Sequence, residues 1–296
     1  MDPVRKLKQN LDKKHILEGC FSNGVDLTSK TKIKEVLLSH QIKPLKSLGQ
    51  NFLISQKALN DFINACDLKK NDIVLEIGPG LGTITQAIAP KVEKVIAVEK
   101  DLKMCEITRE ILQGFKNIEI VNEDILKYRV VIKNPYKVVG NLPFYITAPV
   151  IRIFLESEKP PQEMIFMIQK EVGQRICAEP PNMNLLAVSV QFYSKPKIIS
   201  YLPKNSFWPQ PKVDSAIVKL SNVKYPVLNV NKDLFFKVVK AGFSSPRKQL
   251  RNNLSKKLGI NKEKTERWLL KNNIQPSQRA ETLSVLDWIN LVKTLK

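Results

Sequence analysis

A chain of 296 residues has room for two domains, or for one large domain with an appendage. No apolar stretch approaches the roughly 20 residues that a membrane-spanning helix needs, and the start Met1-Asp2-Pro3-Val4-Arg5-Lys6 lacks the apolar core of an export signal. The 48 basic residues outnumber the 28 acidic ones, for a net charge of +20, and the excess is uneven: residues 201–296 carry 19 basic and 6 acidic, whereas residues 51–200 carry 19 and 17. A cationic block of this kind points to a polyanion, and nucleic acid fits better than a membrane because no strongly apolar face accompanies the charge.

In chain order, residues 1–29 form a lysine-rich extension without sustained periodicity, expected to be disordered. A short helix follows over Thr31–Leu38. Lys46–Leu53 is a loop with a turn glycine, Gly49. Ser55 caps a helix that buries Leu59, Phe62 and Ile63. Strands and helices then alternate. The strands are Ile73–Ile77, Lys94–Val98, Ile118–Val121, Lys137–Val139 and Met164–Ile168. The helices are Thr83–Ala89, Leu102–Leu112, Ala148–Leu155 and Val172–Ala178. Leu185–Tyr193 suits helix or strand, and Ile198–Leu202 and Ser215–Leu220 are late strands. Such alternation implies an α/β fold, a mostly parallel sheet covered on both faces. After about residue 230 the pattern is helical. Ser245-Pro246 reads as an N-cap with proline in the first turn, and Gly259 as a stop. Asn261 caps a helix carrying Trp268, Leu269 and Leu270, and Ser284 with Asp287 forms a capping box before Trp288. The expected boundaries are therefore 1–29, 30–225 and 226–296.

The chemistry clusters at the ends of successive strands. Glu76-Ile77-Gly78-Pro79-Gly80-Leu81-Gly82-Thr83 joins the first strand to its helix. Glycines there let a ligand approach the backbone, although a tight strand–helix turn explains them equally well. Thr83 stands where a dinucleotide fingerprint wants glycine or alanine, which disfavours a bound pyrophosphate and a nicotinamide enzyme. Glu99 ends the second strand 21 residues beyond Gly78, placed to accept hydrogen bonds from ribose hydroxyls. Asp124 follows the third strand and can accept from the amine of an adenine. Asn141-Leu142-Pro143-Phe144 ends the fourth, combining an amide acceptor, a fixed backbone and a stacking ring. A glycine turn, a ribose acid and an adenine acceptor describe S-adenosylmethionine. The cysteines Cys20, Cys66, Cys105 and Cys177 are scattered and the only histidines are His15 and His40, so no metal site is expected, and free thiols suit a cytoplasmic protein.

The sequence resembles the KsgA-type small-subunit (16S) ribosomal RNA adenine dimethyltransferases over roughly residues 30–295. The matching stretches are Leu48-Gly49-Gln50-Asn51-Phe52-Leu53, Glu76–Gly82, Asn141–Phe144, Gln169-Lys170-Glu171-Val172, Phe207–Ser215 and Arg279-Ala280-Glu281. The resemblance implies a Rossmann-like class I methyltransferase domain, with a small C-terminal helical domain that binds RNA. It implies that Gln50, Asn51 and Leu53 close over the methyl donor, that Gly78 and Gly80 meet its methionine portion, and that Glu99 and Asp124 take ribose and adenine. Asn141 then lies beside both donor and target base. Its side-chain oxygen and a backbone carbonyl near Leu142 would accept the hydrogens of the adenine amine, with Phe144 stacked on the ring. Phe207 either supports the base or packs in the core. Arg247, Lys248 and Arg251, on or near one helix, are the candidate RNA contacts. The implied substrate is 16S rRNA in the immature small subunit, met by a monomer with no membrane partner.

Three features depart from the family pattern. Phe144 replaces the commoner tyrosine, Phe243-Ser244-Ser245-Pro246 replaces more polar residues, and the first 26 residues have no counterpart. Two other readings carry the same motifs: an erythromycin-resistance type methyltransferase of large-subunit RNA, and a noncatalytic ribosome assembly factor. The PKVDS and Arg279-Ala280-Glu281 stretches favour the small-subunit enzyme over the first, and the intact Asn141–Phe144 turn disfavours the second.

Overall fold

Runs of β-branched residues alternating with amphipathic segments build the sheet, as the pattern requires. The computed structural model describes residues 26–45, 48–223 and 230–295. In chain order the elements are α1 (Lys30–Ser39), β1 (Phe52–Leu53), α2 (Gln56–Cys66), β2 (Ile73–Ile77), α3 (Thr83–Ile88), β3 (Lys94–Glu99), α4 (Leu102–Ile111), β4 (Ile118–Asn122) and β5 (Tyr136–Asn141). Then come α5 (Thr147–Leu155), β6 (Glu163–Gln169), α6 (Lys170–Ile176), α7 (Leu185–Gln191), β7 (Lys195–Leu202), β8 (Phe207–Trp208) and β9 (Ser215–Ser221). Four helices follow, α8 (Lys232–Gly242), α9 (Leu250–Leu258), α10 (Lys262–Lys271) and α11 (Val285–Thr294).

The main sheet has seven strands in the order β4-β3-β2-β5-β6-β9-β7. β2 pairs in parallel with both β3 and β5, and the parallel pairing extends to β4 on one side and β6 on the other. The chain therefore winds outward through β3 and β4, then returns to the far side of β2. That reversal is where open α/β sheets bind ligands. The register sets the strand ends level: Ile77 lies opposite Val98 and Gly140, and Glu99 opposite Asn122. Val74, Val95, Val139, Ile165 and Ile217 pack one face against Phe62, Ile84 and Ile88.

At the opposite, amino edge of the sheet, Lys137 is buried at the start of β5. Its ammonium lies 2.9 Å from Asp72 and donates to the carbonyls of Cys66 and Asp67 at 3.0 and 2.6 Å. It thus satisfies carbonyls that α2 leaves open at its C-terminus.

The chain divides into two compact units. One holds residues up to Val150 with Glu163–Lys170 and Ile199–Lys219; the other holds Ile151–Gln162, Glu171–Ile198 and the chain from Leu220. The helical unit is therefore larger than the expected 226–296. An aromatic cluster is the reason: Phe192 stacks on Phe235 at 4.1 Å, and Tyr193 on Phe236 at 6.2 Å, so the segment after α7 shares a core with α8. Within the same unit Gly242 lies so close to Trp288 that an added Cβ would sit 2.3 Å from its ring. The Ser284–Asp287 capping box and the Asn261 cap both form.

Three expectations change. The disordered extension does not reach residue 29: Leu27 is buried and Ser29 caps α1. Residues 1–25 of that extension lie outside the described residues. Ser245-Pro246 does not start a helix. Ser245 instead closes a turn, its carbonyl accepting from Lys248 N, and α9 begins only at Leu250, whose N–H donates to Gln278. Phe207 is buried core, paired with Leu53 and part of the hydrophobic cluster under the sheet, so it is not placed to support a base.

Candidate active site

The carboxyl ends of β2, β3 and β5, with the turn after β4, surround a cleft of about 140 Å³. Gln50, Asn51, Leu53, Gly78, Gly80, Glu99, Asp124, Asn141 and Pro143 all line it. Leu142 and Phe144 do not. The Leu142 side chain is buried and its N–H donates to Met167 O at 3.0 Å, which pins the turn to β6. Phe144 is partly exposed beside the cleft, and the next ring, Tyr145, is among the residues that line it.

The glycine turn is shaped for a ligand. Gly78 has φ +65°, a left-handed conformation that disfavours a side chain, yet an added Cβ there would meet nothing within 4 Å. Conformation rather than crowding demands glycine, and the space beside it is left open. Glu99 is held in place by two backbone donors, Asp101 N at 2.9 Å and Gly80 N at 3.2 Å. Burial raises its pKa, opposed by those two hydrogen bonds. Asp124 is held lower than an ordinary aspartate, first by the hydrogen bond from Lys100 at 2.8 Å and then by Leu126 N. Each of the two carboxylates thus keeps its position with lone pairs to spare.

The loop over residues 48–53 is fastened on several sides. β1 pairs antiparallel with β8, and Phe52 stacks on Trp208 at 6.5 Å. Gln50 donates to Asp101 at 2.9 Å. Asn141 Nδ2 donates to the carbonyl of Asn51 at 3.0 Å. That carbonyl can only accept, so the amide is oriented with Nδ2 towards Asn51 and Oδ1 left to accept from another group.

Lys100 and Tyr145 line the cleft but were not singled out in the sequence. The signal for Lys100 was its place directly after the strand-end acid Glu99. Tyr145 was a second aromatic residue adjoining the Asn141–Phe144 turn, overshadowed by Phe144. The candidate RNA contacts fall apart into two kinds. Arg247 and Lys248 are exposed in the turn before α9, whereas Arg251 lies within α9 and pairs with Glu266.

Beneath the glycine turn, Glu76 is buried on β2, and burial pushes its carboxyl from 4.5 up to about 8, against a smaller pull from Thr85. Between pH 4.5 and about 8 the folded protein therefore holds a proton that the unfolded chain has already released. The protonated carboxyl contributes its full stability below that window and loses it as pH rises through it. Glu76→Gln removes this contribution. Its melting temperature should gain on the parent chain as pH goes from 5 to 8; thermal melts with a constant difference across that range would contradict the assignment.

An open α/β sheet with a glycine turn, Glu99 and Asp124 at its switch point, beside an Asn-Leu-Pro-Phe turn, is the architecture of a class I S-adenosylmethionine-dependent methyltransferase. The chain belongs to the ribosomal RNA adenine dimethylase family, whose model matches residues 41–296. It is 42% identical over 260 residues to the ribosomal RNA small subunit methyltransferase A of Dehalococcoides mccartyi, covering 86% of this chain and 89% of that one. Among solved structures, a dimethyladenosine transferase from Plasmodium falciparum superposes with a TM-score of 0.69 at 26% identity, over 81% of this chain and 95% of that one. The 23S rRNA methyltransferase ErmE shares the fold, with a TM-score of 0.70 at 24% identity over 83% of this chain and 99% of that one.

Proposed function

We propose that this chain methylates the exocyclic amines of adjacent adenosines in small-subunit (16S) rRNA, giving dimethyladenosine during ribosome biogenesis. The observation that carries this reading is the orientation of Asn141, whose amide is turned by Asn51 so that Oδ1 can accept from an amine at the cleft. The small-subunit name of a relative at 42% identity supports the choice of RNA. The reading includes a monomer acting in the cytoplasm on the immature subunit.

The residues present fit S-adenosylmethionine. Gly78 leaves open space for its methionine portion and Gly80 lines the same cleft, while Glu99 accepts from the ribose and Asp124 from the adenine amine. Gln50, Asn51 and Leu53 cover it. When bound, it supplies a methyl group already activated by a sulfonium. The task left to the chain is to make a poor nucleophile attack, because the lone pair of an adenine amine is shared with the ring.

Asn141 Oδ1 accepts one amine hydrogen, and a main-chain carbonyl at Leu142 accepts the other. Together they hold the nitrogen lone pair towards the methyl group. Positive charge grows on that nitrogen during attack, and preplaced carbonyl dipoles stabilise it without reorganising. Pro143 fixes the backbone of the turn, and Phe144 offers a face to the base and a cation–π contribution. Alignment supplies much of the rate, so no strong general base is needed. The target base must leave its stack or lie in a loop to enter. On the helical unit, Arg247 and Lys248 meet RNA phosphates, and Arg251 fixes the surface by holding Glu266.

The test is to incubate the protein with labelled methyl donor and separated immature ribosomal subunits, then map the modified base. Label on small-subunit adenines is the expected result. Label confined to the large subunit would favour the resistance-type reading, and tight RNA binding with no label would favour an assembly factor. Affinity for the subunit should fall linearly in a log–log plot against salt.

A further inference from the structure

Tyr201 lies on the strand that ends the sheet, where Lys195, Lys197, Ile199 and Tyr201 alternate outward. Tyr201 is 51% exposed. The Lys170 ammonium stands 5.3 Å from its centroid. Asp214 ties the Lys170 backbone to that of Lys204: its carbonyl accepts from Lys170 N at 3.0 Å, and its carboxylate accepts from Lys204 N at 3.0 Å. Lys204 and Lys212 are exposed beside it, and so is Val213. The result is a half-exposed ring with Lys170 over one face, and Lys204 and Lys212 exposed near Asp214, which binds the Lys170 backbone. The aspartate is turned onto the backbone, so the outward charge is positive.

We propose that this patch is a nucleotide subsite: Tyr201 stacks a base flanking the target adenine, and Lys170, Lys204 and Lys212 take the adjoining phosphates. The proposal rests on the RNA-methylating reading given above. Single-stranded nucleic acid is held by this pairing of aromatic faces with a cationic track, which tolerates any base. Continuity with the cleft supports it. Leu142 N donates to Met167 O, and Lys170 follows Met167 by three residues. Three residues of extended chain span about 10 Å, so the patch lies a short step from the Asn141–Phe144 turn along the same sheet edge. A strand that delivers one base to the cleft has its neighbour within reach of Tyr201.

The test uses the full chain and a fluorescent, unstructured oligoadenylate decamer, with affinity read by anisotropy at fixed salt. Tyr201→Ala should bind roughly 10-fold more weakly, and Tyr201→Phe should bind like the parent, because stacking needs the ring and not the hydroxyl. An abasic decamer, which keeps the phosphates, should not distinguish Tyr201→Ala from the parent. Lys204→Ala should flatten the log–log salt slope by about 0.7. Unchanged donor affinity, read by calorimetry, shows that the variants are folded. Equal binding of the decamer by Tyr201→Ala and the parent overturns the subsite, as does an equal loss on the abasic strand. The methylation assay on ribosomal subunits is scored separately. If the parent labels no small-subunit adenine, the functional reading fails while the decamer comparison still decides the subsite.

Discussion

Asn141→Ala is expected to lower turnover roughly 100- to 1000-fold at saturating donor, the loss seen when one preplaced polar group facing the transition state is removed. The effect should fall on kcat, because Asn141 Oδ1 accepts from a nitrogen whose charge develops only during attack. A smaller change in donor affinity should accompany it, since Nδ2 also holds the loop through Asn51. Asn141→Asp separates the two roles. Aspartate keeps an acceptor at the cleft but sets a carboxylate against the Asn51 carbonyl, so donor affinity should suffer more than in Asn141→Ala. Single-turnover rates on small subunits, with calorimetry for the donor, read both quantities. Full turnover by Asn141→Ala with normal donor binding would remove this residue from the mechanism.

Lys137→Met should destabilise the protein by about 3–5 kcal/mol, the cost of removing one partner from a buried ion pair. Asp72 would lose its counter-charge, and the carbonyls of Cys66 and Asp67 would lose a donor. Methionine has a similar length, so packing loss contributes little. For a chain of this size the melting temperature should drop by about 10 °C. Lys137 lies at the start of β5 and the cleft at its end. Donor affinity at low temperature should therefore stay close to that of the parent. Equilibrium denaturation that shows a loss below 1 kcal/mol would mean that water replaces the ammonium at little cost.

What the sequence shows and what it hides divide along physical lines. The strand ends are legible because a parallel sheet fixes them locally: an apolar run stops, and the next polar residue faces the ligand edge. Gly78, Glu99, Asp124 and Asn141 are each found that way, and all four line the cleft. The errors arise where a distant partner decides. Ser245-Pro246 has the composition of a helix start, but the Ser245 carbonyl is taken by Lys248 and by Asn253 Nδ2, and Leu250 is claimed by Gln278. Phe207 looks like a functional ring until its pairing with Leu53 places it in the core. The boundary near residue 225 follows a change in pattern, whereas the compact units follow the stacking of Phe192 on Phe235, which no local signal announces. The pairing of Lys100 with Asp124 is invisible for the same reason: the two stand 24 positions apart.

The pairing of β1 with β8 has a consequence for how the protein is made. Residues 52 and 53 leave the ribosome early, but their partners at 207 and 208 are added some 155 residues later. By then the glycine turn, both acids and Asn141 have already emerged. A nascent chain thus carries every cleft-lining residue named above before it has the strand that pairs with β1. A product shortened before residue 207 would keep the hydrogen bonds of Gln50 to Asp101 and of Asn141 to Asn51 but lack the strand pairing that fastens the other side of the loop.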